Sequence, residues 1–319
     1  MNHRRAEAIL VRRISALLIV PVLLLTAACG GGDDKGSDSP SKLPAITKGT
    51  KFGEKPTVAK GEGKSPASLQ FSTPVTGSGK TVRKGDVITA NYLGTIYKSG
   101  TVFDNSYDQK TPIKTQIGTG SVIKGWDQAL VGKKAGSRVE MVIPPSLGYG
   151  SQTVGTIPAN STLVFVVDII ATKPVPDSAQ GRAVKQDDAG LPKVGTNTDG
   201  KAPSVQVPTG RSAPAKLVDN YVIEGSGPAV KATDTLLVKY KGVLWKTGKE
   251  FDSTYAKNTT ARLSLGQVVK GFGQGLTGKK VGSRVLLVIP PGLGYGSTPQ
   301  GGIPADSTLV FSVDILGVL

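Results

Sequence analysis

The sequence predicts an α+β protein of two similar domains, each an antiparallel β-sheet wrapped around one short α-helix. Three observations predict it. First, most of the chain is written twice: GSRVEMVIPPSLGYGSQTVGTIPANSTLVFVVDII, beginning at Gly136, returns as GSRVLLVIPPGLGYGSTPQGGIPADSTLVFSVDIL, beginning at Gly282. The offset is 146 residues from Val122 to Ile170 and 148 upstream, where NYLGTIYKSGTVFDNSY (from Asn91) returns as KYKGVLWKTGKEFDSTY (from Lys239). The second copy therefore lacks two residues between Gly266 and Val268. A period this long marks a duplicated domain, since solenoid units run roughly 20–50 residues. Second, apolar residues fall into short runs that alternate with polar ones, the pattern of half-buried strands. Third, each copy holds a single stretch of helical character, and one sheet with one helix makes an α+β unit.

Taken in order, DVITANYLG (from Asp86) and DTLLVKYKG (from Asp234) are strands that lead into Lys-Ser-Gly and Lys-Thr-Gly turns. SVIKGWDQALVG (from Ser121) and VVKGFGQGLTG (from Val268) are the helices. The second carries Gly271, Gly273 and Gly275. Each glycine costs about 1 kcal/mol against Ala in a helix interior, so tertiary packing must hold this helix. RVEMVIP (from Arg138) and RVLLVIP (from Arg284) are strands stopped by a Pro-Pro pair, and TLVFVVDII and TLVFSVDIL are long enough to lie centrally in a sheet.

The 319 residues allow two ordinary domains plus tails. Residues 1–28 read as a secretory signal: Arg4, Arg5, Arg12 and Arg13 precede the apolar run Ile14 to Ala28, which ends in small residues. That run is shorter than the roughly 20 apolar residues a spanning helix needs. Cys29, the single cysteine, follows Thr26-Ala27-Ala28. A free thiol at a cleavage point suits attachment to diacylglycerol, and the segment resembles the lipobox of bacterial lipoproteins, with Thr26 where Leu is usual. An ordinary secreted protein with a stray cysteine is the plainer alternative. The expectation is a lipid-anchored protein at the outer face of the cell membrane. One cysteine makes no disulfide within the chain, so core packing alone must hold the domains.

Residues 29–63 are rich in Gly, Ser, Pro, Lys and Asp and read as a flexible tether, with Ile46 to Gly63 a partial exception because Phe52 and Val58 could pack as an extended edge. Residues 174–204, with Pro174, Pro176 and Pro192, read as an interdomain linker between domains at 64–173 and 205–319. The formal net charge of +16 falls to about +13 without the signal's four Arg and one Glu. Export makes nucleic acid an implausible partner, and attraction to anionic headgroups or cell wall, or simple solubility, accounts for the lysines.

The inventory excludes much chemistry. The lone histidine, His3, lies in the signal, so Ser-His-Asp, Cys-His and zinc-histidine sites are ruled out in the mature chain. No phosphate-cradling G-x-x-x-x-G-K-[ST] occurs. One Asp recurs in an apolar setting in each copy, Asp104 and Asp252 after Phe103 and Phe251. A glycosidase needs two carboxylates. What recurs instead is an aromatic and aliphatic set: Tyr92, Phe103, Val122, Ile123, Trp126, Tyr149, Ile157 and Phe165, then Tyr240, Phe251, Val268, Val269, Phe272, Tyr295, Ile303 and Phe311. A hydrophobic core is the simpler reading of any single member. Tyr149 and Tyr295 argue against it, since they sit in LGYGS loops just after Pro-Pro, where a loop tip should be polar.

The order Y-x-G…F-D-S/N-S/T-Y…V-I/V-K-G-W/F…IPP-x-LGYG…IPA-x-STLVF-x-V-D-I, present twice, resembles the FKBP family of peptidyl-prolyl cis–trans isomerases over Lys64–Lys173 and Val205–Leu319. The resemblance implies an aromatic cavity between sheet and helix. Trp126 and Phe272 would floor it, with walls from Tyr92, Phe103 and Phe165, and from Tyr240, Phe251 and Phe311. The backbone at Val122-Ile123 or Val268-Val269 and the Tyr149 or Tyr295 hydroxyl would bind substrate carbonyls. Asp104 and Asp252 would line the pocket near Tyr92 and Tyr240, and Ile157 and Ile303 would belong to a flap. No cofactor or metal is implied. Proline-containing exported polypeptides are the implied partners, macrolides are candidate ligands, and nothing demands more than a monomer. Departures from the family pattern concentrate in the second copy: Phe272 for the usual Trp, the two-residue deletion, and Ala261 where the first copy has Ile113. Gln109 and Lys257 stand where Arg is frequent. The first domain is expected to be the better catalyst. The alternative is a proline-binding chaperone or assembly factor with little turnover.

Overall fold

In the computed structural model, residues 43–257 and 259–319 are described; the signal, Cys29 and the start of the expected tether lie outside them. The chain divides into two compact units at Pro174 and Val175.

In the first unit, β1 (Ile46–Lys48) and β2 (Thr57–Val58) form a small hairpin. A six-stranded antiparallel sheet follows, built from β3 (Gln70–Val75), β4 (Val87–Ile96), β5 (Val102–Asn105), β6 (Ile113–Gln116), β7 (Arg138–Ile143) and β8 (Leu163–Lys173). Its order is β3-β7-β8-β4-β5, with β6 also on β4, so β8 lies centrally as its sequence predicts. Helix α1 (Lys124–Leu130) packs Trp126, Ala129 and Leu130 onto Val139, Met141 and Ile143 of β7. Those three alternate along β7 and face the helix, while Arg138, Glu140 and Val142 take the other face.

The second unit repeats the plan. After β9 (Gly181–Ala183), β10 (Lys193–Val194) pairs with β11 (Val205–Gln206) as a hairpin. The sheet contains β12 (Val218–Gly225), β13 (Thr235–Leu244), β14 (Glu250–Ser253), β15 (Ala261–Ser264), β16 (Arg284–Ile289) and β17 (Leu309–Val318). Strand β9 joins at β12 as a seventh strand. Helix α2 (Lys270–Leu276) explains its glycines: a Cβ on Gly271 would stand 2.5 Å from Ile289, and one on Gly275 2.6 Å from Leu287. The helix lies too close to β16 for side chains at those positions, and packing offsets the intrinsic penalty.

Two readings from composition need correction. Residues 43–63, read as tether apart from the exception allowed for Ile46 to Gly63, form an arm across the outer face of the first sheet, where Leu43 and Val58 pack on Tyr97, Val142 and Val164. Residues 175–204, read as linker, cover the second sheet in the same way, with Ala179, Val194 and Leu191 against Val222, Val243, Trp245, Leu286 and Val310. Each unit therefore starts well before the boundary expected at 64 or 205. The physical reason is that the arms are held largely through their backbone. Arg138 donates to the carbonyls of Gly49 and of Glu54 (2.7 Å), and Arg284 to those of Gly195 (2.7 Å) and Asn197 (2.9 Å). Small polar residues advertise disorder, yet their carbonyls serve a guanidinium as well as any others do.

Candidate active site: two aromatic pockets

Each pocket is built by elements that converge on the helix-facing side of the sheet. In the first unit Tyr92 comes from β4, Phe103 and Asp104 from β5, Trp126 from α1 and Phe165 from β8. The rings meet edge to face: Tyr92–Trp126 centroids are 5.6 Å apart, Trp126–Phe165 5.4 Å and Phe103–Phe165 5.5 Å. Such pairs contribute about 0.5–1.5 kcal/mol each beyond burial and fix ring orientation. Gly94 makes the nest possible, because a Cβ there would stand 2.6 Å from Phe103 and 2.9 Å from Phe165. Val122, Ile123 and Ile157 are buried in the same cluster, and Tyr149 packs against it half-buried. All eight apolar and aromatic residues expected in the first site are thus brought together, with Ile157 packed into the cluster itself.

The Tyr92 hydroxyl donates to Asp104 across 2.5 Å. Burial, outweighing the bonds from Tyr92 and from the Asn105 backbone, holds the Asp104 carboxyl above its usual range. Burial also pushes the Tyr92 and Tyr149 hydroxyls up, with the Asp104 charge adding to both. Both phenols are therefore neutral donors at any ordinary pH.

The second pocket keeps the skeleton. Phe272–Phe311 centroids are 5.3 Å apart and Phe251–Phe311 5.4 Å, with Gly242 leaving the same room for Phe251 and Phe311. Tyr240 stands farther from the floor, 6.5 Å from Phe272, and donates to Asp252. Val268 and Val269 pack against the cluster partly buried, and Ile303 lies within it. Tyr295 is 38% exposed, yet its hydroxyl still acts on that of Tyr240. The carboxylates also differ. Burial raises the Asp252 carboxyl, but Lys257 at 2.7 Å and Tyr240 together overcome that and hold it below the usual range. Gln109, at the position matching Lys257, brings no charge to Asp104.

Sequence reasoning missed Asp127. Its carboxylate accepts from the backbone N–H of Gly118 (2.6 Å) and Gly120 (2.8 Å), bracing the turn that leads into Val122 and Ile123. The second copy has Gly273 there, where a Cβ would stand 2.7 Å from the Leu265 carbonyl oxygen, and its turn is the one shortened by two residues. Brace and longer turn are absent together, so comparing the copies concealed the residue. Tyr107 and Tyr255 were also missed, although the F-D-x-x-Y spacing recurs. Their hydroxyls donate to Asp168 (2.9 Å) and Asp314 (3.1 Å) on the opposite face of the sheet.

The profile of the FKBP-type peptidyl-prolyl cis-trans isomerase family matches residues 78–170 and 227–316. Peptidyl-prolyl cis-trans isomerase FKBP10 of Homo sapiens is 32% identical over 241 residues, 74% of this chain and 35% of its own length. FK506-binding protein 2 of Podospora anserina is 44% identical over 97 residues, 30% of this chain and 52% of its own. Among solved structures, FkpA from Escherichia coli aligns at 38% identity and a TM-score of 0.33, over 35% of this chain and 52% of that one. The chain spans about a third of the length of FKBP10. With both repeats matched and the aromatic nest in each, the chain belongs to the FKBP-type peptidyl-prolyl cis-trans isomerase family.

Proposed function

We propose that this chain is a working prolyl isomerase, anchored through a lipid on Cys29 at the outer face of the cell membrane. There it speeds X–Pro rotation in exported polypeptides. The observation that supports it best is the aromatic nest with a Tyr–Asp pair at its wall, present in both units.

An amide rotates slowly because resonance holds it planar against a barrier of about 18–20 kcal/mol, and X–Pro exchange can limit folding. The twisted amide has lost that resonance and is less polar than the planar one. A proline seated against Trp126 or Phe272, among buried rings, leaves water behind, and the less polar twisted form is favoured there. Tyr149 would hold a substrate carbonyl as a neutral donor. No nucleophile, acid or metal is required.

The second unit has a second reading, as a module that holds proline segments with little turnover. The more exposed Tyr295, the smaller Phe272 floor and Ala261 favour it. Cis–trans exchange of an X–Pro peptide, measured with the mature chain from Cys29, tests both readings. Tyr149→Phe should remove most of the acceleration and Tyr295→Phe little. Folded protein that accelerates nothing would leave the binding module as the account of both units. The anchor is tested separately: Cys29→Ser should move the protein from the membrane fraction to the medium.

A further inference from the structure

The face of the first sheet away from the pocket carries a buried ion pair. Arg138 grips Asp168 through Nε and a terminal nitrogen, both at 2.7 Å, and both side chains are fully buried. Asp168 also accepts from the Gly53 backbone N–H of the arm (2.7 Å) and from the Tyr107 hydroxyl (2.9 Å). Four donors converge on this carboxylate, three of them on Oδ2. Tyr107 belongs to the loop that follows β5, three residues beyond Asp104. One residue further along that loop, Asp108 is clasped by Lys55 of the arm at 2.6 Å. Strand β5 is only four residues long and pairs with β4 on one side. Its side toward the sheet is fixed by Ser106, whose hydroxyl accepts from the Tyr92 backbone N–H at 2.9 Å. Of the loop's two further ties, Asp108 leads straight to Lys55 of the arm, and Tyr107 leads to Asp168 of β8, the carboxylate that also holds the arm's Gly53.

We propose that Tyr107 and Lys55 are positioning residues of the first pocket: the docked arm, through them and the Arg138–Asp168 pair, sets where Phe103 and Asp104 stand. The proposal rests on the isomerase reading for its functional consequence. The second unit sharpens it. It keeps the relay, with Tyr255 and the Ala179 backbone N–H on Asp314, but Ala256 stands in place of Asp108 and has no carboxylate to form that clasp. The arm thus has this additional tie to the loop in the unit whose loop tyrosine, Tyr149, packs on the aromatic cluster.

Replacing Arg138 would strand the Asp168 charge inside the fold, so the test uses milder changes. In the mature chain with the second pocket silenced by Phe251→Ala, Tyr107→Phe should lower kcat on an X–Pro peptide about fivefold and change KM less than twofold. Lys55→Ala and Asp108→Ala should each lower kcat about twofold without adding, and the swap Lys55→Asp with Asp108→Lys should recover it. Unchanged kcat in folded Tyr107→Phe protein, or no recovery in the swap, would overturn the proposal and leave the arm as a structural cover. Should the unmutated chain turn over nothing, the isomerase reading fails by itself. Amide hydrogen exchange then decides the coupling: Tyr107→Phe should speed exchange at 105–111 and 49–55 together, and a change in the loop alone would sink it.

Discussion

The two pockets share a skeleton and differ at its margins. Both keep Gly94 or Gly242 under a pair of perpendicular phenylalanines, and both set a tyrosine hydroxyl on an aspartate. They differ in the floor, in the brace behind the turn and in the charge beside the carboxylate. The first has Trp126, Asp127 and Gln109; the second has Phe272, Gly273 and Lys257. The lesson is that close-packed parts resist drift, because a Cβ at Gly94 would strike two rings, while the margins of the nest tolerate it.

The largest way to break the comparison is at the floor. Trp126→Ala should destabilise the first unit by about 3–5 kcal/mol, the range for emptying a large aromatic site, and leave its pocket with less than a tenth of its activity. Urea unfolding followed by circular dichroism, with peptide exchange on the folded fraction, checks both. Next comes Glu140, a buried carboxyl on the outer face of β7 whose Oε1 has no partner among the described residues. Burial raises it to about 7. The charged form is therefore disfavoured by folding. Stability is full below the ordinary glutamate range, falls as pH climbs toward 7 and is lowest above it. The second copy has Leu286 at this place. Glu140→Leu should stabilise the first unit by up to about 3 kcal/mol at pH 8 and by little at pH 4; an equal gain at both would show that the carboxyl's charge is not the cause.

Exchanging the floors is a subtler test. Phe272→Trp should raise turnover in the second pocket about threefold, and Trp126→Phe should lower it in the first by a similar factor, each about 0.7 kcal/mol of barrier. The smallest effect concerns the carboxylates. Lys257→Gln should raise the Asp252 pKa and Gln109→Lys should lower that of Asp104, which carboxyl carbon NMR titration would follow. A fixed Asp252 would mean that Tyr240, not Lys257, sets its charge.

Much of this was legible in the sequence. The strands, the single helix per copy, the central place of TLVFVVDII and the aromatic set all follow from period and repetition, since each depends on side chains of marked type. Most of what escaped depends on backbone. The arms attach by carbonyls to Arg138 and Arg284, and no composition records which carbonyl a guanidinium will find. Asp127 escaped because its partners are two glycine N–H groups, and because the copy used to judge it has lost the acid. Tyr107 sits in plain view in the motif, but its partner lies in another strand 61 residues away.

The two guanidiniums are also a clock for synthesis. In each unit the arm's first carbonyl, Gly49 or Gly195, lies 89 residues ahead of the arginine it meets. The aspartate completing the pair follows 30 residues later, on the last strand. A chain made from its N-terminus therefore carries each arm without its guanidinium ties until most of the unit has emerged, while the arm's ties to Tyr97 or β12 are available sooner. Such distant closure is slow compared with local folding. Each buried ion pair closes only when the final strand arrives, and a nascent chain halted before Asp168 or Asp314 would hold a guanidinium without its carboxylate.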